Sequence, residues 1–226
     1  MKDRILAVIS YAAADDLCRA RMHNWIDAVK PTRVLMSGGM NPVWYPKGSY
    51  VLHVGADAYP DTAPESRDLN MPLRFTRTLE KALELSSDPM HVEVCLIEPD
   101  VWFWRSPFEG NNTFEGFNGK QFQEADGRSF WHWPYTIRGT GQARALSHTC
   151  RALLRYRASC CPWGSFPDRF VGLALDVAQL PTFNANQVSF NTVETEAQIQ
   201  ECLRAKAAGA FAVHGVKNQQ VLERLL

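Results

Sequence analysis

The sequence of 226 residues has no surplus of either charge, because Lys plus Arg and Asp plus Glu each number 24. A balanced chain has no global field to attract nucleic acid or an anionic lipid surface, so any phosphate binding has to be local. Long apolar runs are also missing. The opening run, Ile5 to Ala14, is interrupted by Ser10 and Tyr11 and followed by Asp15 and Asp16, which is too short for a transmembrane segment and reads as a core strand. The six cysteines, Cys18, Cys95, Cys150, Cys160, Cys161 and Cys202, form no CxxC pair, and several lie in apolar segments. That pattern favours reduced, buried thiols over a disulfide or zinc framework, and with it a cytoplasmic address. Asn111-Asn-Thr113 matches a glycosylation acceptor, but with no signal peptide ahead of it the match reads as a loop. No GxSxG elbow is present for a serine hydrolase, and Arg144 stands where a dinucleotide fingerprint starting at Gly139-Thr-Gly141 needs its third small residue. That segment reads as a turn bringing backbone close to a ligand. Repeats, low-complexity stretches and linkers are absent as well.

What is present is an alternation of strand and helix. Strands are expected at Ile5 to Ser10, Thr32 to Met36 and Tyr50 to Val54, with a helix from Ala13 to Val29 between the first two. A second helix is expected to start at a cap on Asn70, with Pro72 in its first turn and Leu79, Ala82 and Leu83 on one face. Such alternation implies an α/β fold with a mostly parallel sheet and helices on both faces. From Asn111 to Tyr135 the pattern loosens into Gly, Asn and aromatic residues, better placed as antiparallel strands and loops. Thr140 to Arg157 and Glu196 to Ala208 read as helices, Ala210 to His214 as a last strand, and a terminal helix follows. The expectation is a single domain over 1–226, with a Rossmann-like nucleotide-binding half at 1–103 and an acceptor-side half at 104–226.

The segment His91-Val-Glu-Val-Cys-Leu-Ile-Glu-Pro-Asp-Val-Trp-Phe103 sets two carboxylates, Glu98 and Asp100, directly after an apolar strand. Ligands collect at the carboxyl ends of such strands, and hard oxygen ligands suit Mg²⁺ or Mn²⁺ shared with substrate phosphates. Ordinary turn chemistry would also account for Glu-Pro-Asp by itself.

Three motifs occur in order: Glu98-Pro-Asp100, Pro167-Asp-Arg-Phe-Val-Gly172 and His214-Gly-Val-Lys217. Together they resemble the GT-A superfamily of nucleotide-sugar-dependent glycosyltransferases, over nearly the whole chain. The resemblance implies a hexosyltransferase-like enzyme that moves a sugar from a nucleoside diphosphate sugar to a hydroxyl acceptor, with inversion at the anomeric carbon expected. In it Glu98 and Asp100 hold the place of the DxD motif, with Glu98 toward the nucleotide sugar; Asp100 and His214 are the metal ligands, and Lys217 touches the departing phosphate. Asp168 takes the place of the catalytic base in the acidic site of inverting members. Two departures stand out: Glu98 replaces the first Asp of DxD, and Pro167 replaces a Glu before the base.

The chemistry of sugar transfer calls for the same residue types. A divalent ion stabilises charge growing on a diphosphate, a lysine adds a point charge to phosphate, and a carboxylate takes the acceptor proton. Ser10 and Tyr11, after the first strand, fall where a base or ribose would lie. Asp57 could accept from that base or ribose, and Arg74 could face the pyrophosphate. Trp131 and Trp133, in the cluster Phe130-Trp-His-Trp-Pro-Tyr135, could stack on an acceptor sugar, although tryptophans in a strand are more often core. Asp168 has a plainer reading as a helix cap paired with Arg169. Two rival functions remain: a catalytically degenerate carbohydrate-binding module, and a nucleotidyltransferase, although no glycine- and lysine-rich phosphate loop follows the first strand.

Overall fold

Val, Ile and Leu dominate the first and fourth strands, and a strand that is apolar at successive positions has to be covered on both faces. The computed structural model shows this. It describes residues 3–9, 16–38, 47–53, 64–88, 90–109, 115–125, 127–155 and 167–226. Ile5 to Ile9 and Val94 to Ile97 are completely buried. They belong to β1 (Asp3–Ile9) and β4 (Val92–Ile97), neighbours at the centre of the main sheet with β2 (Arg33–Gly38), β3 (Tyr50–His53), β6 (Gly116–Gln123), β7 (Ser129–Arg138) and β8 (Thr182–Asn184). The strand order is β3-β2-β1-β4-β7-β6-β8. The first four run parallel to one another, β7 is antiparallel to both its neighbours, and β8 pairs parallel with β6.

Helices α1 (Asp16–Val29), α2 (Pro64–Leu85), α3 (Thr140–Arg155) and α4 (Pro167–Ala178) cover this sheet. Gly172 lets α4 approach β7, because a Cβ there would stand 2.4 Å from the Ser129 carbonyl oxygen. A second sheet, ordered β5-β10-β9, joins β5 (Trp102–Phe103), β10 (Ala212–His214) and β9 (Val188–Ser189). It shares a separate apolar cluster with α5 (Glu196–Ala207) and α6 (Gln219–Leu225), built on Val193, Ile199, Cys202, Val213, Val216, Leu222 and Leu225. A capping box between Thr195 and Gln198 opens α5. No helix among the described residues is long and apolar enough to cross a membrane. Cys18, Cys95, Cys150 and Cys202 are buried, and burial pushes the Cys95 and Cys150 thiols above their ordinary range.

Three expectations need correction. Helix α2 starts at Pro64, so Asn70 does not cap it and Pro72 lies in its interior, where the missing N–H removes one ladder bond. Helix α4 is a full helix where the sequence offered only a motif. The Gly139-Thr-Gly141 turn joins β7 to α3 at the amino end of β4, where Gly139 donates to the Val92 carbonyl; the two carboxylates lie beyond that strand's other end.

Asp3 ties the starts of β1 and β2 to the end of α2. It accepts from Thr32 Oγ1, from Arg33 Nη1 at 2.9 Å, and from the Ser86 hydroxyl and the Ser87 amide at 3.0 and 2.6 Å. Burial alone would raise its pKa, but these donors together hold it at about 2. A depressed carboxyl contributes stability that is present above its unfolded value near 3.8 and lost as pH falls through about 2. Asp3→Asn is therefore expected to lower unfolding free energy by about 2 kcal/mol at neutral pH, with the deficit closing toward pH 2. Urea denaturation at pH 7 and pH 3 checks this.

Candidate metal centre

The turn Glu98-Pro-Asp100 leaves β4 at its carboxyl end, and α1 holds it there with residues three and four apart on one helical face. Arg21, completely buried, donates to the Pro99 carbonyl at 2.9 Å. Asn24 exchanges two hydrogen bonds with the Phe103 backbone, and the Trp25 indole donates to the Val101 carbonyl at 2.8 Å. The end of β10 is brought alongside by antiparallel pairing with β5 and by the Val216 amide, which donates to the Asp100 carbonyl. Gly215 makes that approach possible. Its φ is +92°, and a Cβ would lie 2.3 Å from the Phe190 carbonyl oxygen, so a side chain is excluded on both counts.

Three side chains meet as a result. His214 Nε2 lies 3.2 Å from Glu98 Oε2 and 3.2 Å from Asp100 Oδ1. All three are largely buried, and together they are the group among the described residues arranged to hold a metal ion. One Nε2 proton cannot serve two carboxylates, and Asp100 Oδ1 is left buried without a hydrogen bond. A free carboxylate lone pair beside an imidazole nitrogen and a second carboxylate is a donor set suited to a hard or borderline divalent ion such as Mn²⁺ or Mg²⁺. Glu98 thus stands among the three side chains that could hold a cation, whereas the sequence reading gave it to the nucleotide sugar. Lys217, half exposed, has its ammonium 3.8 Å from Asp100 Oδ2.

The carboxylates and the imidazole shift one another's protonation. Burial would lower the pKa of His214, yet the Asp100 and Glu98 carboxylates beside it raise it to about 10. Burial works to raise Asp100, but the adjacent His214 ring and the His214 and Lys217 charges hold it below the ordinary carboxylate range. Glu98 is raised, chiefly by burial.

A second group adjoins the first. Ser189 Oγ lies 3.0 Å from His214 Nδ1 and 2.9 Å from His132 Nδ1, and His132 Nε2 is 3.6 Å from Asp168 Oδ2. Burial, with the His214 charge, lowers His132 to about 4 and keeps it neutral. Asp168 sits in the first turn of α4, where Tyr135 Oη lies 2.8 Å from its Oδ1. Burial, with the nearby Glu98 charge second, raises Asp168 to about 7. Arg169 pairs with Glu124.

His132 is displayed at an irregularity. The β6–β7 register shifts between Asn118 and Lys120, opposite the stretch holding Pro134, which has no amide to donate. Gln187 Nε2 reaches the carbonyls left there, 3.1 Å from that of His132 and 3.0 Å from that of Trp133.

Of the site residues expected from sequence, Glu98, Asp100, His214 and Lys217 come together, and Asp168 joins them through His132 and Ser189. Arg74 is buried on α2. Ser10, Tyr11 and Asp57 lie outside the described residues. Trp131 and Trp133 are corrected: at 2% and 1% exposure they are core rings, packed against Phe117 and against Tyr135 and Phe75, and offer no platform to a ligand. Sequence reasoning missed Arg21, His132, Gln187 and Ser189. His132 stood inside the aromatic cluster already singled out; the other three carried no local signal.

No family model and no curated protein sequence matches the chain. Solved structures do. An active-site mutant of LgtC shares 11% identity at a TM-score of 0.53, covering 98% of this chain and 93% of that one. The galactosyltransferase LgtC in complex with donor and acceptor sugar analogues shares 10% at 0.52, covering 98% and 95%. The apo glycosyltransferase GlyE of Streptococcus pneumoniae TIGR4 shares 9% at 0.55; all of this chain is covered, but it spans only 60% of GlyE. At such identities the likeness is one of fold: the chain shares its α/β architecture with these glycosyltransferases, as the sequence motifs led us to expect.

Proposed function

We propose that this protein is a metal-dependent glycosyltransferase that moves a sugar from a nucleoside diphosphate sugar to a hydroxyl acceptor. The observation that carries the reading is the Glu98, Asp100 and His214 cluster at the carboxyl end of a central parallel strand, in a fold shared with glycosyltransferases. In open α/β sheets that strand end is where ligands bind. The three side chains would hold Mn²⁺ or Mg²⁺, which when bound offsets the charge growing on the diphosphate leaving group.

Lys217, exposed beside Asp100, adds a point charge for a phosphate oxygen. Asp168 accepts the proton of the acceptor hydroxyl as the bond from that oxygen to the anomeric carbon forms and the bond to diphosphate breaks. Its pKa near 7 suits a base working near neutrality; Tyr135 donates to one of its oxygens and His132 faces the other. A base on the acceptor side implies inversion at the anomeric carbon. With the tryptophans buried, the acceptor platform passes to Phe122 and Phe130, partly exposed, stacked 5.2 Å apart and both packed against His132. Arg74, and Ser10, Tyr11 and Asp57, keep their proposed roles toward the pyrophosphate and the nucleoside.

Incubation with a set of nucleoside diphosphate sugars and candidate sugar acceptors, with Mn²⁺ or with chelator, tests the reading. Metal-dependent release of nucleoside diphosphate is expected. Release of pyrophosphate from a nucleoside triphosphate and a sugar phosphate would indicate a nucleotidyltransferase instead. Sugar binding without turnover of any donor would indicate a degenerate module.

A further inference from the structure

Asp168, His132, Ser189, His214 and the two carboxylates of the metal centre lie in one line of contacts, and the protons along it can be placed. His132 Nε2 faces Asp168 Oδ2 at 3.6 Å, so the favourable tautomer carries its proton there and leaves Nδ1 as an acceptor. Ser189 Oγ, 2.9 Å from that nitrogen, then donates to it. With its proton committed, the same oxygen has only lone pairs to offer His214 Nδ1 at 3.0 Å, so His214 donates from Nδ1. The reverse direction would point a bare His132 nitrogen at the Asp168 carboxylate in the ionised form in which it acts as a base.

We propose that Ser189, set by His132, is the positioning residue of the metal centre: it fixes the proton of His214 on Nδ1 and so reserves Nε2 for a divalent cation held with Glu98 and Asp100. The inference rests on the metal-dependent reading above. His214 is already anchored through its backbone on β10, but that leaves the ring free to turn about Cβ–Cγ and to shift its proton between the two nitrogens. Ser189 is placed to prevent this because β9 pairs parallel with β10 and sets Ser189 beside His214 in register. Partners of this kind orient a ligating imidazole, and their loss commonly weakens metal binding about 10- to 100-fold.

Titration of the whole chain with MnCl2, followed by loss of the free-ion paramagnetic resonance signal, decides it. The parent is expected to bind, Ser189→Ala to bind about 10- to 100-fold more weakly, and Ser189→Thr, which keeps a hydroxyl, to bind close to the parent. Equal affinity of parent and Ser189→Ala overturns the positioning role and leaves the metal centre standing. A parent that binds no Mn²⁺ overturns both. Should Ser189→Ala not fold, His132→Phe replaces it, since that ring keeps its packing on Phe122 and Phe130 while removing the acceptor. Weaker binding is expected there too, and unchanged binding overturns the role.

Discussion

Asp100→Asn is expected to remove metal-dependent binding of a nucleoside diphosphate, with a loss beyond the roughly 100-fold that marks the removal of an outer-shell partner. The substitution keeps the shape of the side chain and takes away its charge and its strongest lone pairs. Asp100 is the residue with a buried, unbonded oxygen, so no existing hydrogen bond is lost at Oδ1 and the fold should survive. Calorimetric titration with UDP, GDP, CDP and ADP, each with Mn²⁺ and with chelator, reads the effect. An Asn variant that keeps the parent's Mn²⁺-dependent affinity would remove Asp100 from the site. The same titrations carry a pH signature. His214 is held protonated up to about 10, and an ion can bind Nε2 only when that proton leaves. Apparent Mn²⁺ affinity should therefore rise with pH, by roughly tenfold per unit over the neutral range if one proton is displaced. Affinity that is flat in pH would mean that the imidazole is not a ligand.

Asp168→Asn is expected to lower kcat by ~10²- to 10⁴-fold, the contribution typical of a positioned base, while Mn²⁺ and nucleoside diphosphate binding stay near parental. Two further readouts separate a base from a structural carboxyl. Parent kcat should climb as pH rises through about 7, where Asp168 ionises, and the Asn variant should lack that limb. Stability should move the other way. A carboxyl raised to about 7 binds its proton more tightly folded than unfolded, so its contribution is full below about 3.8 and is lost as pH rises through 7. Asn cannot ionise, so the variant should gain on the parent in melting temperature between pH 5 and pH 8. A residue whose replacement costs activity and adds stability is one retained for chemistry. Near-parental turnover in the variant, or a product that retains the anomeric configuration, would return Asp168 to a helix-terminal role and leave the metal centre untouched.

The strands β1 to β4 and the helices α1, α3 and α5 were legible in sequence because each is encoded by a local rhythm of apolar residues. The same rhythm showed that β4 would be buried on both faces and end in Glu98 and Asp100. The family resemblance, which residue chemistry supports, then singled out His214 and Lys217 as cation and phosphate partners, and the fold brings them to Asp100. Local rhythm says nothing about pairing at a distance. His214 and Glu98 are 116 positions apart, and they meet because β10 pairs with β5 and Gly215 permits the crossing beside Phe190. Arg21, Ser189 and Gln187 look like any polar residue in the chain until the helix, the strand pairing and the register shift opposite Pro134 give each a partner. Trp131 and Trp133 show the converse. Their composition suits a sugar platform as well as it suits a core, and only the packing of Phe75, Phe117 and Tyr135 around them decided between the two. Sequence determined which chemistry the chain has available and at which strand end it starts. Tertiary structure decided which side chains share a proton and which are shut away from solvent, because both depend on contacts made across the sheet.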